Sequence, residues 1–380
     1  MPAFINRYKI LVLVGEPERI GGGELSLVDL IKGLKNKCQF LCVVRKDSNL
    51  FKFLRPLKIE LIYCKVNWSR KGKYIFLNLF RLLYLLGKLK LKRFKPSLIF
   101  CNAGQVNPFG VYLGRILNTP VISYVQDIFT PSEKDKFLFS KADLIIANSS
   151  YVARLVSHFQ KNMKVIHPGI DSQRFSPQLK ESEENIKFKL NLSDYFLIGN
   201  IGTITYKKGF FEFVEVAERV IFKINKVKFI IAGEPKPQEV YILEELKNKI
   251  KEKGLEDYFI FLGFVEKIEF VLSGLDVLLF LPHFEAFGRV IIEAFACKTL
   301  VIASDVSGPS EIIEDKRTGF LFSKNDFENI AECIVKVYND KELYKKIVDN
   351  AYKEFLKRYT LEKMAEKIDS VSLEYAQAKE

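Results

Sequence analysis

The stretch Val277-Leu278-Leu279-Phe280-Leu281-Pro282-His283-Phe284-Glu285-Ala286-Phe287-Gly288-Arg289-Val290-Ile291-Ile292-Glu293-Ala294 carries the fold in miniature. It opens with five apolar residues and no polar alternation, which reads as a strand covered on both faces, as in a parallel sheet. Pro282 and Gly288 punctuate a turn, and the residues from Arg289 onward have the spacing of a helix. Strand, turn and helix in this order are half of a βαβ unit.

The unit recurs along the sequence. In the first half, apolar runs at 9–14, 40–44, 57–64, 97–101, 121–124, 144–147 and 164–166 alternate with helical patterns such as 25–35, 74–94 and 106–117. In the second half the runs are 196–202, 228–232, 258–262, 277–281, 299–303 and 319–322, with helices such as 210–222, 240–253, 289–296 and 327–337. This alternation predicts two doubly wound α/β domains with parallel sheets, and 380 residues suit two domains. The boundary falls in His167-Pro168-Gly169-Ile170-Asp171 and Phe175-Ser176-Pro177, where Pro and Gly break the pattern. The expected division is 1–171, 172–355 and a closing helical segment, 356–380, that packs back toward the first domain.

With 48% hydrophobic and 28% charged residues the protein is ordinary globular material, which excludes intrinsic disorder, a coiled coil and a collagen-like repeat. Six Cys lie scattered without a C-x-x-C pair, which excludes a disulfide scaffold and fits a reducing cytosol. The three His (His158, His167, His283) are far apart, so no metal site is expected; His167 and His283 read as structural or loop residues. The longest apolar stretch, 74–86, carries Asn78 and Arg81 and is too short to span a bilayer. No signal peptide is read at the N-terminus.

The net charge of +13 is unevenly spread. Residues 1–175 hold 29 Lys and Arg against 11 Asp and Glu, whereas the remaining residues hold 30 against 35. Between Glu60 and Asp127 there are eleven basic residues and no carboxylate. Such asymmetry points to an anionic partner on the first half: a phospholipid surface, a lipid pyrophosphate or nucleic acid.

Three strand-to-helix turns could carry chemistry. Gly21-Gly22-Gly23-Glu24 precedes a helix, whose N-terminus offers free N–H groups to an anion; the competing reading is a plain tight turn. It matches neither G-x-G-x-x-G nor G-x-x-x-x-G-K-[ST], which argues against an NAD domain and a nucleoside triphosphatase. Gly202-Thr203-Ile204-Thr205-Tyr206-Lys207-Lys208-Gly209 places a lysine beside a helix N-terminus, where both attract phosphate; taken alone, the segment reads rather as a surface loop with a solvated lysine. The third turn sets Glu285 before Phe287-Gly288 and Glu293 on the helix behind it. The N–H groups around Gly288–Val290 form an anion cradle, and a carboxylate beside such a cradle makes sense when it binds hydroxyls, as of a sugar or a ribose flanking a pyrophosphate.

These segments resemble the retaining GT-B glycosyltransferases of family 4, over almost the whole length. The family's E-x7-E motif is matched by Glu285 and Glu293, its first-domain glycine loop by Gly21-Gly22-Gly23-Glu24, and its mid-sequence A-D-x-x-x-x-x-S run by Ala142-Asp143 through Ser149. Its inter-domain P-x-G-I-D and F-x-P signature matches 167–171 and 175–177, and its late x-G-x-L strand matches Thr318-Gly319-Phe320-Leu321. The resemblance implies two Rossmann-like domains facing a cleft, with the second holding a nucleotide sugar. It implies that Lys208 neutralises the diphosphate, Glu293 accepts from the ribose hydroxyls and Glu285 orients the donor sugar. Gly22, Gly23, Thr203, Phe287, Gly288, Arg289 and Val290 complete the implied donor site. No metal ion and no cofactor are implied.

The sequence departs from the family pattern twice. Gln126-Asp127 stands where His-Asp is usual, and Gln cannot act as acid or base at neutral pH. Thr203 stands where an arginine commonly partners the lysine, which leaves Lys207 or Arg289 as its substitute. The first domain of such enzymes receives the acceptor, a glycan or a lipid-linked molecule. Residues 65–95, with ten Lys or Arg, Trp68 and a Leu/Phe-rich helix, read as a contact to anionic membrane; the competing reading is a helix packed on its sheet. No nucleic-acid motif accompanies the strip, so no nucleic-acid partner is expected. The expected location is cytoplasmic, peripheral on the inner membrane face. The alternatives are a GT-B sugar-nucleotide epimerase and a non-catalytic homologue that binds a glycan or partner.

Overall fold

In a computed structural model of the protein the described residues are 8–15, 20–46, 48–66, 75–102, 106–128, 139–160 and 162–377. The protein divides into two compact units. One comprises Met1–Gly169 with Leu361–Glu380, the other Ile170–Thr360.

The first unit contains β1 (Lys9–Val14), β2 (Gln39–Val44), β3 (Glu60–Tyr63), β4 (Leu98–Asn102), β5 (Val121–Val125), β6 (Leu144–Ala147) and β7 (Met163–Val165). They form one sheet in the order β3-β2-β1-β4-β5-β6-β7, parallel throughout. The second unit contains β8 (Phe196–Ile201), β9 (Val227–Ala232), β10 (Phe259–Gly263), β11 (Val277–Phe280), β12 (Leu300–Ser304) and β13 (Phe320–Phe322). Its sheet runs β10-β9-β8-β11-β12-β13, also parallel. Counted within the unit this is 3-2-1-4-5-6, the Rossmann order; the first unit repeats it and adds a seventh strand.

The continuous apolar runs are explained by cover on both faces. Ile10, Val12 and Val14 of β1 pack with Leu27, Leu30 and Ile31 of the helix Gly22–Leu34, while Leu11 and Leu13 face Leu82, Leu85 and Leu89 of the helix Ile75–Leu91. Each such side group, fully buried, contributes about 1.5–3 kcal/mol relative to exposure. In the second unit Val277 and Leu279 join the cluster of the helix Phe210–Val220, and Leu278 and Phe280 that of the helix Arg289–Ala296.

Local chemistry moved two expected boundaries. The strand expected from residue 57 starts at Glu60, because Pro56 sits in a 3-10 turn and Lys58 follows with φ 54°. The closing segment expected from residue 356 begins instead at Leu361: the helix Lys341–Arg358 ends first, and the helix Leu361–Gln377 follows. Between them Tyr359 accepts a hydrogen bond from the Ile170 N–H (2.8 Å), and Thr360 bridges to Ile170. The first helix buries Phe355 in the second unit. The second lies on the first unit's sheet, where Asp369 accepts from the Tyr8 hydroxyl (2.8 Å) and from Lys37 Nζ (3.0 Å).

Candidate functional site

A parallel sheet whose order reverses leaves a crevice at the carboxyl ends of the two strands flanking the reversal, because their helices depart to opposite faces. In the second unit those strands are β8 and β11. The loops that follow them, 202–209 and 281–288, carry the two motifs singled out in the sequence.

The loops are tied together. Lys208 Nζ forms an ion pair with Glu285 Oε2. The His283 N–H donates to the Lys207 carbonyl (2.9 Å), and Lys207 Nζ lies 5.0 Å from the Phe284 ring centroid. His283 Nε2 meets Glu212 Oε1 (2.6 Å) in the first turn of Phe210–Val220. Backbone contact requires glycine here: Gly209 has φ 75°, and a Cβ on it would lie 2.0 Å from the Leu281 carbonyl oxygen.

Glu285 is held from a third loop as well. Its N–H donates to Ser307 Oγ (3.1 Å), while its carbonyl accepts from that hydroxyl (2.7 Å) and from the Gly308 N–H (3.0 Å). Gly288 then turns the backbone with φ 98° and caps the helix Arg289–Ala296. On that helix Arg289 Nε donates to Glu293 Oε1 (2.7 Å), with both side chains less than a tenth exposed. Val290 is half-buried beside them and Thr203 is exposed in the β8 loop. The Phe287 ring is buried against Tyr359, their centroids 6.1 Å apart, so this ring anchors the turn. Two helix N-termini, two lysines, a restrained carboxylate and a buried Arg–Glu pair thus meet at one crevice. Such a set suits a ligand with both phosphate and hydroxyl groups.

The equivalent crevice of the first unit is built from amides. Gln126, just after β5, donates through Nε2 to Asn102 Oδ1 (2.8 Å) at the end of β4 and to the Gly23 carbonyl (3.2 Å). Asn148 Nδ2 donates to the Gln126 carbonyl (2.9 Å). Gly22 and Gly23, expected in a loop, form the first turn of the helix Gly22–Leu34, and Glu24 Oε2 accepts from the Gly21 N–H (2.9 Å). Burial raises the Glu24 carboxyl above its usual range, against the lowering by that N–H bond.

Sequence reading missed Glu212, Ser307, Asn102 and Asn148. Asn148 lies at a variable position of the Ala142–Ser149 run and the others belong to no motif; Glu212 had only its place in a first helical turn as a signal, and Ser307 had none.

Two family models match: Glycosyltransferase Family 4 over residues 20–174 and Glycosyl transferases group 1 over residues 182–354. The chain belongs to glycosyltransferase family 4. Among its curated family relatives is the capsular polysaccharide biosynthesis glycosyltransferase CapM of Staphylococcus aureus, 27% identical over 247 residues, 62% of either protein. The match thus spans about three-fifths of that relative's length. Another is the N-acetylgalactosamine-N,N'-diacetylbacillosaminyl-diphospho-undecaprenol 4-alpha-N-acetylgalactosaminyltransferase of Campylobacter jejuni, 25% identical over 318 residues, which cover 80% of the present sequence and 77% of the relative. Among solved structures, Anabaena HepE in complex with UDP and glucose superposes with a TM-score of 0.82 at 23% identity, covering 96% of the present protein and 99% of HepE. This family 4 protein therefore has the two-domain GT-B fold.

Proposed function

We propose that the protein moves a sugar from a nucleotide-sugar donor to a hydroxyl of a glycan or lipid-linked acceptor, with retention at the anomeric carbon and without a metal ion. The Lys208–Glu285 pair at the crevice of the second unit carries this reading. Lys208, the helix N-termini and the N–H groups near Gly288 supply the positive potential that a leaving diphosphate needs. Glu285 turns from Lys208 to the sugar hydroxyls, and Glu293, fixed by Arg289, accepts from the ribose. Retention places departure and attack on one face of the sugar. The anomeric carbon–oxygen bond to the diphosphate breaks, the acceptor oxygen takes its place, and the acceptor proton passes to the departing diphosphate. No side-chain base is called on, which suits Gln126, a residue that cannot titrate.

Nucleoside diphosphate release, screened over UDP-, GDP- and ADP-sugars with membrane extract as acceptor, tests the reading. Release with one donor class, an unchanged anomeric configuration and insensitivity to EDTA support it. Loss with EDTA and recovery with magnesium defeat its metal-independent part.

A specific observation favours a membrane-borne acceptor. The helix Ile75–Leu91 buries Leu82, Leu85 and Leu89 on the sheet, while Phe76 (80% exposed), Phe80 (68%), Leu83 (59%) and Leu91 (79%) face outward, with Arg81, Lys88 and Lys90 on the same helix. Trp68, Arg70, Lys71 and Lys73 lie outside the described residues. Among the described residues no helix is long and apolar enough to cross a membrane. An apolar strip with basic flanks fits a surface of anionic lipid, where each basic residue adds about 1 kcal/mol. The protein is expected to sediment with anionic vesicles at low salt. Failure to do so removes the membrane contact and points to a soluble acceptor.

A further inference from the structure

His283 belongs to none of the roles assigned above, yet it stands between the two loops of the donor crevice. Its Nε2 meets Glu212 Oε1 at 2.6 Å, with the side chains 29% and 16% exposed. Its N–H donates to the Lys207 carbonyl at 2.9 Å. It therefore grips the β8 side twice, once at the residue before Lys208 and once on the helix after it. On its own side it is two residues from Glu285. The other carboxylate oxygen of Glu212, Oε2, is buried and has no hydrogen-bond partner among the described residues.

We propose that His283 is a positioning residue: with Glu212 it clamps the loop after β11 to the helix after β8 and so fixes the separation of Lys208 and Glu285 for catalysis. This rests on the donor reading above. The physical reason is preorganisation. Lys208 and Glu285 come from different loops and must serve different parts of one ligand, the diphosphate and the sugar. A misplacement of about 1 Å in such a pair costs on the order of a hundredfold in rate. The Lys208–Glu285 pair cannot supply the restraint during turnover, because both partners must then turn to the ligand. The His283–Glu212 pair holds the loops without touching the ligand.

The clamp has a second property that makes it testable. In His283→Ala the Glu212 carboxylate remains half-buried with both oxygens unpartnered, so stability falls for a reason unrelated to catalysis. Removing Glu212 as well relieves that cost while leaving the clamp broken. The experiment compares wild type, His283→Ala, His283→Gln and the double variant His283→Ala/Glu212→Ala. It reads thermal midpoint and kcat/KM for nucleoside diphosphate release from UDP-glucose, UDP-N-acetylglucosamine and GDP-mannose. His283→Gln keeps an N–H donor for Glu212 and is expected within threefold of wild type. His283→Ala is expected to lose at least tenfold in kcat/KM, carried by kcat, together with thermal stability. The double variant is expected to regain the thermal midpoint but to remain at least tenfold slow. Recovery of kcat/KM along with stability in the double variant overturns the clamp, as does a His283→Ala enzyme with wild-type kcat/KM. Wild-type protein that releases nucleoside diphosphate from no UDP-, GDP- or ADP-sugar, with membrane extract present, overturns the donor reading itself, and the clamp with it.

Discussion

The two sheets of this protein share one strand order, yet the crevices at their carboxyl ends are furnished in opposite ways. In the second unit the reversal between β8 and β11 gathers charge: Lys207, Lys208, Glu285, Glu212 with His283, and the Arg289–Glu293 pair. In the first unit the corresponding neighbourhood is held by neutral amides, Asn102, Gln126 and Asn148, with Glu24 closing the helix N-terminus. The topology thus decides where a ligand meets a sheet, and the side chains decide which ligand. Charge suits a diphosphate that must leave as an anion; amides suit hydroxyl groups that stay neutral. Each unit therefore has its own expected response to mutation.

The largest effect is expected from Glu293→Ala. It removes the carboxylate that Arg289 Nε meets at 2.7 Å, with both side chains less than a tenth exposed, and breaking one side of a buried ion pair costs about 3–5 kcal/mol. Urea unfolding should show this loss, and calorimetry should show nucleotide affinity weakened by a further 10- to 100-fold or so, from about 1.5–3 kcal/mol of hydrogen bonding. Unchanged affinity would take the ribose away from Glu293.

Lys208→Ala comes next. A preorganised donor aimed at developing charge is worth about 10²–10³ in kcat. Initial rates over a range of donor concentration should place the loss in kcat rather than KM; a change in KM alone would mean that Lys208 binds the ground state and no more.

Gln126→Ala probes the amide side. It leaves Asn102 Oδ1 without its 2.8 Å donor, a cost of about 1–3 kcal/mol in stability. Because the change is confined to the first unit, nucleotide affinity should be unaltered by titration. An equal loss of nucleotide binding would erase the contrast between the two crevices.

The smallest effect concerns Glu24, whose carboxyl burial raises above 4.5. A folded-state value above the unfolded one means that the stabilisation is complete at pH below the unfolded value and is lost as pH rises through the folded value. Glu24 alone therefore contributes a fall in stability as pH climbs from its ordinary carboxylate range, and Glu24→Gln should hold its thermal midpoint better than wild type over that climb. An identical pH dependence in the variant would exclude Glu24 as a source of that fall.

The sequence by itself determined the β/α alternation, because uninterrupted apolar runs have few ways to be covered other than by helices on both faces of a parallel sheet. It also placed the three turns, since Gly and Pro punctuation and helix starts are local. Even so, Gly22 and Gly23 entered a helix rather than a loop once Glu24 capped Gly21, and Phe287 spent its ring on the core against Tyr359. What only the tertiary structure decided is pairing across long separations. Lys208 meets Glu285 across 77 positions, Glu212 meets His283 across 71, and Gln126 meets Gly23 across 103. No period or spacing encodes these contacts. They arise because the strand order brings loops distant in sequence to the same end of a sheet, where burial favours a partner for a polar group.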